Sequence, residues 1–255
     1  MSALLEIDGL TKTYANGTRA LKGIDVRIDE GEFLAVIGLS GSGKSTFLRC
    51  LNMLVEPSSG SIRFRGREVT SLRGQELREY RRGIGMIFQH FNLVKRRTVL
   101  ENVLAGCLST TSTVGSITGR FSEQDREQAL ANLEIVGIRE KADLRADALS
   151  GGQQQRVAIA RSLMQKPALL LADEPVASLD PATSHSVMKY LEYMNKELGT
   201  TVVCNLHFLS LVREYSTRVI ALRDGQVVFE GKPEQITEQW FKEIYGEDAV
   251  EVEIR

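Results

Sequence analysis

Two stretches of this 255-residue chain carry side chains in patterns that could do chemistry. The first is Gly38-Leu39-Ser40-Gly41-Ser42-Gly43-Lys44-Ser45-Thr46. Gly38, Gly41 and Gly43 can take backbone angles that turn successive N–H groups inward around an anion. Lys44 is placed to reach the outer phosphates of a nucleoside triphosphate, and the Ser45 hydroxyl to ligate Mg²⁺. Residues 33–37 are uninterruptedly apolar and read as a buried strand, while Phe47, Leu48 and Leu51 have the spacing of one helical face. A helix opening near Lys44 adds unpaired N–H donors and a positive dipole end. A Gly-rich turn that matches by chance is the plain alternative, and the strand–loop–helix context argues against it. Gly38, Ser40, Gly41, Ser42, Gly43, Lys44, Ser45 and Thr46 are therefore predicted to cradle a nucleoside triphosphate.

The second stretch is Asp173-Glu174-Pro175, which ends the apolar run 168–172. A carboxylate at the carboxyl end of a parallel strand, near a phosphate loop, can hold Mg²⁺ through water. Glu174, the next residue, can polarise an attacking water. Unpaired desolvated charge is expensive, so two acids closing a buried strand point to function over structure. Other residues stay open on their own pattern. Tyr14 either stacks on a purine ring or packs on a sheet edge. Gln89 ends the apolar run 84–88 and reads equally as a surface glutamine. Ser150-Gly151-Gly152-Gln153 opens a helix and makes either a lysine-free anion site or an ordinary serine cap. His207, just past the strand 200–205, is ambiguous between a satisfied core histidine and a functional one.

The elements that must position these residues alternate between strands and helices. Strands are predicted at 4–10, 24–29, 33–37, 61–66, 84–88, 168–172, 200–205, 218–222 and 226–230, the last two joined by a hairpin turn at Asp224-Gly225. Helices are predicted at 76–82, 99–108, 123–136 with Ser122 as cap, after Gln153, and at 235–245 with Trp240, Phe241 and Ile244 inward. Another follows Pro181, with Val187, Leu191, Met194 and Leu198 as a core stripe. From 91 to 164 strands give way to helices, so that block is expected to be an inserted subdomain. Residues 109–120 form a Ser/Thr/Gly-rich loop, and 246–255 an acidic frayed end.

Charge nearly cancels, 32 basic against 33 acidic residues, which gives no electrostatic case for nucleic acid. Cys50, Cys107 and Cys204 are widely spaced, as in a reducing compartment, and no zinc-ligand spacing is present. No signal peptide and no membrane span of ~20 apolar residues is expected. Any work at a membrane would be done from its side.

Taken together and in this order, the pieces resemble the ATP-binding subunit of an ABC (ATP-binding cassette) transporter, over residues 4–245. Two distant motifs carry the resemblance: the phosphate loop at 38–46 and Leu149-Ser150-Gly151-Gly152-Gln153, the signature sequence peculiar to that family. It implies an α/β fold. A P-loop NTPase core, mostly parallel with an N-terminal antiparallel β subdomain, would span 1–90 and 165–230, with a helical signature subdomain at 91–164 and a C-terminal helix and tail at 231–255. It also implies roles. Tyr14 matches the adenine-stacking aromatic, and Gln89 the loop glutamine that touches Mg²⁺ and the attacking water. Asp173 and Glu174 match the second nucleotide motif, Ser178 to Asp180 the loop that crosses a dimer, and His207 the switch histidine. Phe208 departs from the acid that many members place after that histidine.

The family further implies a head-to-tail dimer with two ATP molecules between copies. Ser150, Gly151 and Gly152 would meet the γ-phosphate of the partner's ATP, and closure would push on membrane permease subunits docked on 91–164. The runs Ile84-Gly85-Met86-Ile87-Phe88-Gln89-His90-Phe91-Asn92-Leu93-Val94 and Arg97-Thr98-Val99-Leu100-Glu101-Asn102-Val103-Leu104, the 109–120 loop and Trp240 to Gly246 look like the phosphonate-importer ATPases. Their substrates are organophosphonates, with phosphite or hypophosphite in close relatives, delivered by an external binding protein. Polar amino acid importers share Gln89 to Leu93 but typically have a shorter linker. A soluble ABC ATPase docked on a phosphonate-degrading enzyme complex would carry the same ATP motifs.

Overall fold

Strand alternation builds the first sheet. In β2 (Arg19–Asp29), Ile24, Val26 and Ile28 turn inward, and β1 (Ala3–Thr13) buries Leu5 and Ile7 against them. The strands β3 (Phe33–Ile37), β4 (Ser59–Phe64), β5 (Arg67–Glu68), β6 (Ile84–Ile87), β7 (Leu169–Ala172), β8 (Thr201–Asn205), β9 (Arg218–Arg223) and β10 (Gln226–Gly231) follow in chain order. Eight helices lie between and after them: α1 (Lys44–Leu51), α2 (Gly74–Arg82), α3 (Val99–Leu104), α4 (Glu123–Ile135), α5 (Gly151–Gln165), α6 (Pro181–Lys196), α7 (Leu209–Tyr215) and α8 (Glu238–Tyr245), counted among the described residues. This computed structural model describes residues 2–111, 119–177 and 179–246.

The first sheet has the order β2-β1-β4-β5, with each neighbouring pair antiparallel. The second has the order β10-β9-β3-β8-β7-β6, parallel from β9 to β6, with β10 antiparallel at one edge. Its central strands are wholly buried, because layers cover both faces. The period of two in β3 divides the core. Phe33, Ala35 and Ile37 face a cluster shared with α3, α4, α5, α6 and α7, and Leu34 and Val36 face one shared with α1 and the first sheet. Helix starts follow the sequence cues: Thr98 with Glu101, Ser122 with Asp125 and Ser150 with Gln153 each form a reciprocal capping box.

Several expectations are corrected. The helix from Val99 ends at Leu104 and tightens into a separate turn, Ala105–Cys107. Gly106 there lies against the Arg161 carbonyl, in a space that a Cβ would overfill. Leu198 is no part of the core stripe. α6 ends at Lys196, Gly199 takes a φ of +68°, and Leu198 is 51% exposed in the turn between them. The C-terminal helix starts at Glu238, because Pro233 opens its own short turn at Pro233–Gln235. β5 and α7 were not legible, being too short to show a period. The expected loop at 109–120 falls largely, and the acidic end almost wholly, outside the described residues.

Candidate nucleotide-hydrolysis site

The phosphate loop leaves β3 at Ile37 and returns as α1 at Lys44. Gly38, Gly41 and Gly43 have φ of +135°, +81° and +107°, a region that side-chain-bearing residues rarely occupy. Two of them are also crowded. A Cβ on Gly38 would meet the Leu222 carbonyl, and one on Gly43 would stand 2.5 Å from the Ala20 carbonyl. Gly225, at the turn between β9 and β10, donates its N–H to the Ser42 carbonyl at 3.0 Å. Strand β2 and the β9–β10 turn thus clamp the loop from outside. Gly43 caps α1 without a side chain, so the first-turn N–H groups stay available to an anion. The Ser42 hydroxyl is buried without a hydrogen-bond partner among the described residues.

Lys44 is 4% exposed and donates from Nζ to the Gly38 and Leu39 carbonyls at 2.7 and 3.0 Å. Burial pulls its pKa below the ordinary lysine range, with Glu174 and Asp173 acting the other way.

Parallel register delivers the remaining groups. Ile87 of β6, Ala172 of β7 and Cys204 of β8 are paired rungs, so Gln89, Glu174 and Asn205 to His207 all emerge at the carboxyl ends of neighbouring strands. Asp173 is 2% exposed. Its Oδ1 accepts from Ser45 Oγ at 2.8 Å and from Asn205 Nδ2 at 2.7 Å, while Arg49 Nη2 lies 3.4 Å from Oδ2. Glu174, at φ +51°, has both carboxylate oxygens held: Oε2 accepts from Gln89 Nε2 at 2.9 Å, and Oε1 is 2.7 Å from His207 Nε2. Phe208 does not displace the histidine. It occupies the capping position of α7 without a side-chain cap and packs on the core.

A cleft of about 530 Å³ opens over the loop, floored by Ser40, Gly41, Gly43, Lys44, Ser45 and Thr46 and bordered by Gln89, Glu174 and Tyr14. The Tyr14 hydroxyl is 3.1 Å from Thr46 Oγ1, and Lys12 Nζ lies over its ring at 5.4 Å from the centroid. The Tyr14 side chain therefore borders the cleft.

Ser150, Gly151, Gly152 and Gln153 do not line this cleft. They open α5, where the Ser150 and Gln153 side chains satisfy each other's backbone N–H, and Gly152 lies against the Thr183 methyl. Asp180 caps α6: Oδ1 accepts from Thr183 N at 3.0 Å and Oδ2 from Thr183 Oγ1 at 2.6 Å. These bonds, the Thr183 hydroxyl first, hold its carboxyl below the usual range. Ser178 lies outside the described residues. One chain thus gathers Tyr14, the phosphate loop, Gln89, Asp173, Glu174 and His207 in one place, and the signature residues with Asp180 in another.

Sequence reasoning missed Asn205 and Arg49, the further partners of Asp173. Asn205 had a signal, since it ends an apolar strand as Asp173 does. It also missed what shapes the segment after Gln89. Phe91 and Asn92 have φ of +59° and +49°, and Arg161 donates to their carbonyls at 2.9 and 2.7 Å. Asn102 bonds both backbone groups of Val94, at 2.7 and 3.2 Å. Burial lowers the pKa of Arg161. An arginine between Val157 and Leu163 on a buried helix was the available clue.

The donor set fits a magnesium nucleotide. Ser45 and Asp173 bring a hydroxyl and a carboxylate together. An oxygen pair of this kind suits a hard cation such as Mg²⁺.

Comparison with known proteins decides the family. The ABC transporter family model matches residues 21–177. The chain belongs to the ABC transporter family, as an ATP-binding cassette. It is 62% identical to the phosphonates import ATP-binding protein PhnC of Bdellovibrio bacteriovorus, over 98% of this chain and 96% of the relative. It is 51% identical to phosphonates import ATP-binding protein PhnC 1 of Halalkalibacterium halodurans, over 98% of each. Among solved structures, the dimeric post-hydrolysis state of the cassette MJ0796, bound to ADP and Pi, superposes with a TM-score of 0.80 at 38% identity, covering 90% of this chain and 98% of that one. The cassette is an ATPase of α/β fold. No helix among the described residues is long and apolar enough to cross a membrane.

Proposed function

We propose that this cassette hydrolyses ATP to drive an importer of organophosphonates or phosphite, from the cytoplasmic face of a bacterial inner membrane. The substrate class is carried by the likeness to phosphonate-import relatives over nearly the full length. The chemistry is carried by one geometric observation: Glu174 is held through both oxygens, by Gln89 and His207, beside the phosphate loop.

In this reading ATP lies in the cleft with its phosphates over residues 38–46. Lys44 exchanges the Gly38 and Leu39 carbonyls for phosphate oxygens, and the first-turn N–H groups of α1 complete the cradle. Tyr14 offers its ring to the base. Ser45 and Asp173, with Gln89 beside them, would hold Mg²⁺, which when bound neutralises charge on the β- and γ-phosphates. Glu174 takes the proton of the attacking water while Gln89 and His207 fix the direction of its carboxylate. The water oxygen bonds to the γ-phosphorus as its bond to ADP breaks.

Ser150, Gly151, Gly152, Gln153 and Asp180 then act on a second copy of the chain. They stand apart from their own cleft, and the first-turn N–H groups of Gly151 and Gly152, which the Ser150–Gln153 capping box does not take up, suit the γ-phosphate of the partner's ATP. Closure with ATP and opening after hydrolysis form a two-state element that integral permease subunits can follow. The segment after Gln89, anchored by Arg161 and Asn102, links that state to the 91–164 block on which the permease docks. A periplasmic or lipid-anchored binding protein supplies the substrate on the other side.

The test is ATP hydrolysis by the cassette reconstituted with its permease and binding protein, across phosphonates, phosphite, phosphate and polar amino acids. Stimulation by a phosphonate or phosphite is the expected result. Stimulation by an amino acid alone would overturn the substrate class, and recovery with a soluble lyase complex in place of a permease would overturn the transport role.

A further inference from the structure

The cleft contains charges that the hydrolysis chemistry does not use. Arg19 and Lys22 of β2, and Asp224 at the β9–β10 turn, all border it. All three are exposed, and among the described residues none of their side chains makes a hydrogen bond or ion pair. Their segments are nonetheless locked together: Lys22 donates its N–H to the Gly225 carbonyl at 2.8 Å, and a Cβ on Gly225 would stand 2.7 Å from the Ala20 carbonyl. Two cations and an anion are thus held on adjoining, rigid backbone without neutralising one another. That arrangement suits a ligand that carries both anionic oxygens and hydroxyl donors. Asp224 has a φ of +51° and Gly225 one of +80°, the paired left-handed geometry of a two-residue hairpin turn, so the carboxylate is presented from a fixed position.

Place along the nucleotide follows from the neighbours. Gly225 bonds the Ser42 carbonyl, and Ala20 abuts Gly43, so the turn stands beside the part of the phosphate cradle that leads into α1. Tyr14, by contrast, is fixed to Thr46 on the base side. Between base and phosphates lies the sugar. An ionised carboxylate only accepts hydrogen bonds, and the ribose hydroxyls are the donors nearest the phosphates. A carboxylate so close to phosphates would repel them unless cations stood beside it, which Arg19 and Lys22 do.

We propose that Asp224, Arg19 and Lys22 form a nucleoside subsite in which Asp224 accepts from the ribose hydroxyls and the two cations hold the α-phosphate. The inference rests on the ATP reading of the cleft. It makes the cassette selective for ribonucleotides, at a residue that otherwise reads as mere turn chemistry.

The experiment is calorimetric titration of the full chain with Mg-ATP and with 2′,3′-dideoxy-ATP, with GTP as a third probe. Wild-type protein should prefer ATP over the dideoxy analogue roughly tenfold, about 1.4 kcal/mol. Asp224→Gly keeps the turn, because glycine takes the same φ freely, and should bring the ratio to about one. Asp224→Asn, which keeps an acceptor oxygen, should restore part of it. Arg19→Ala and Lys22→Ala should weaken both nucleotides equally and reduce the salt dependence of binding. A wild-type ratio near one, or one unchanged in Asp224→Gly, overturns the sugar contact. A change in ATP over GTP preference with the sugar ratio intact overturns it in favour of the base. Undiminished affinity in both cation variants overturns the α-phosphate contact. Failure of wild-type protein to bind any of the nucleotides would overturn the ATP reading itself, a separate outcome.

Discussion

Exchange of Glu174 for glutamine removes a proton acceptor while leaving its shape in place. The carboxylate has Gln89 Nε2 2.9 Å from one oxygen and His207 Nε2 2.7 Å from the other. A glutamine in the same rotamer keeps its oxygen towards the Gln89 amide and turns its NH₂ towards His207. The imidazole accepts that bond once its own proton sits on Nδ1. Both contacts survive, and the backbone at φ +51° is asked of a residue with the same preferences. Stability should therefore shift by only about 1 kcal/mol, the scale of one altered hydrogen bond. Catalysis should fall much further. A positioned general base contributes roughly 10²–10⁴-fold, or about 2.7–5.4 kcal/mol of barrier. Affinity for ATP should persist, since the loop and not Glu174 holds the phosphates. Single-turnover phosphate release gives the rate, thermal unfolding the stability, and size-exclusion chromatography with ATP the trapped dimer. Turnover at the wild-type rate in a folded Glu174→Gln protein would refute Glu174 as the base.

Burial holds Lys44 below the ordinary lysine range, and a bound triphosphate pulls it back up, so binding between those two values takes up a proton. ATP affinity should consequently weaken as pH rises through the lowered value. Lys44→Ala should lose both the affinity and the pH dependence, read by calorimetry in buffers of different ionisation enthalpy. Arg161→Lys gives up the two-pronged hold on the Phe91 and Asn92 carbonyls. It should bind ATP normally but lose permease-stimulated hydrolysis, with about 1–3 kcal/mol of stability lost in denaturant unfolding. Cys50, Cys107 and Cys204 are buried with their thiols pushed upward, Cys50 to about 12. Native protein at pH 8 should stay unlabelled by iodoacetamide and take up three equivalents once unfolded.

What the sequence made legible was local. The phosphate loop, the apolar run before it and the acids closing β7 each show in a few consecutive residues, because glycine geometry and buried strands leave dense signals. Gln89, Asn205 and His207 are different. Each lies at or just past the end of an ordinary strand, and only the parallel register of β6, β7 and β8 brings them around Asp173 and Glu174. Register is a pairing between distant segments, so no single stretch could show it. Leu198 failed for a related reason: the helical period continued past Lys196, but the left-handed Gly199 ends the helix and turns the side chain outward. Ser150 to Gln153 and Asp180 show the opposite limit. Their motifs are unmistakable in the sequence, while one copy of the chain gives them only caps to make.

The clamp around the phosphate loop also sets an order of assembly. β3 lies between β8 and β9, and the loop beyond it is shaped by Leu222 and Gly225, close to two hundred residues downstream. A chain leaving the ribosome therefore carries the complete phosphate-binding motif long before it has anything to press that motif into form. Chains stalled before β9 should retain no ATP analogue, whereas those extending past β10 should. Nucleotide capture then marks the arrival of β9 and β10, and a chain cut short of them is kept from closing on ATP or on a second copy.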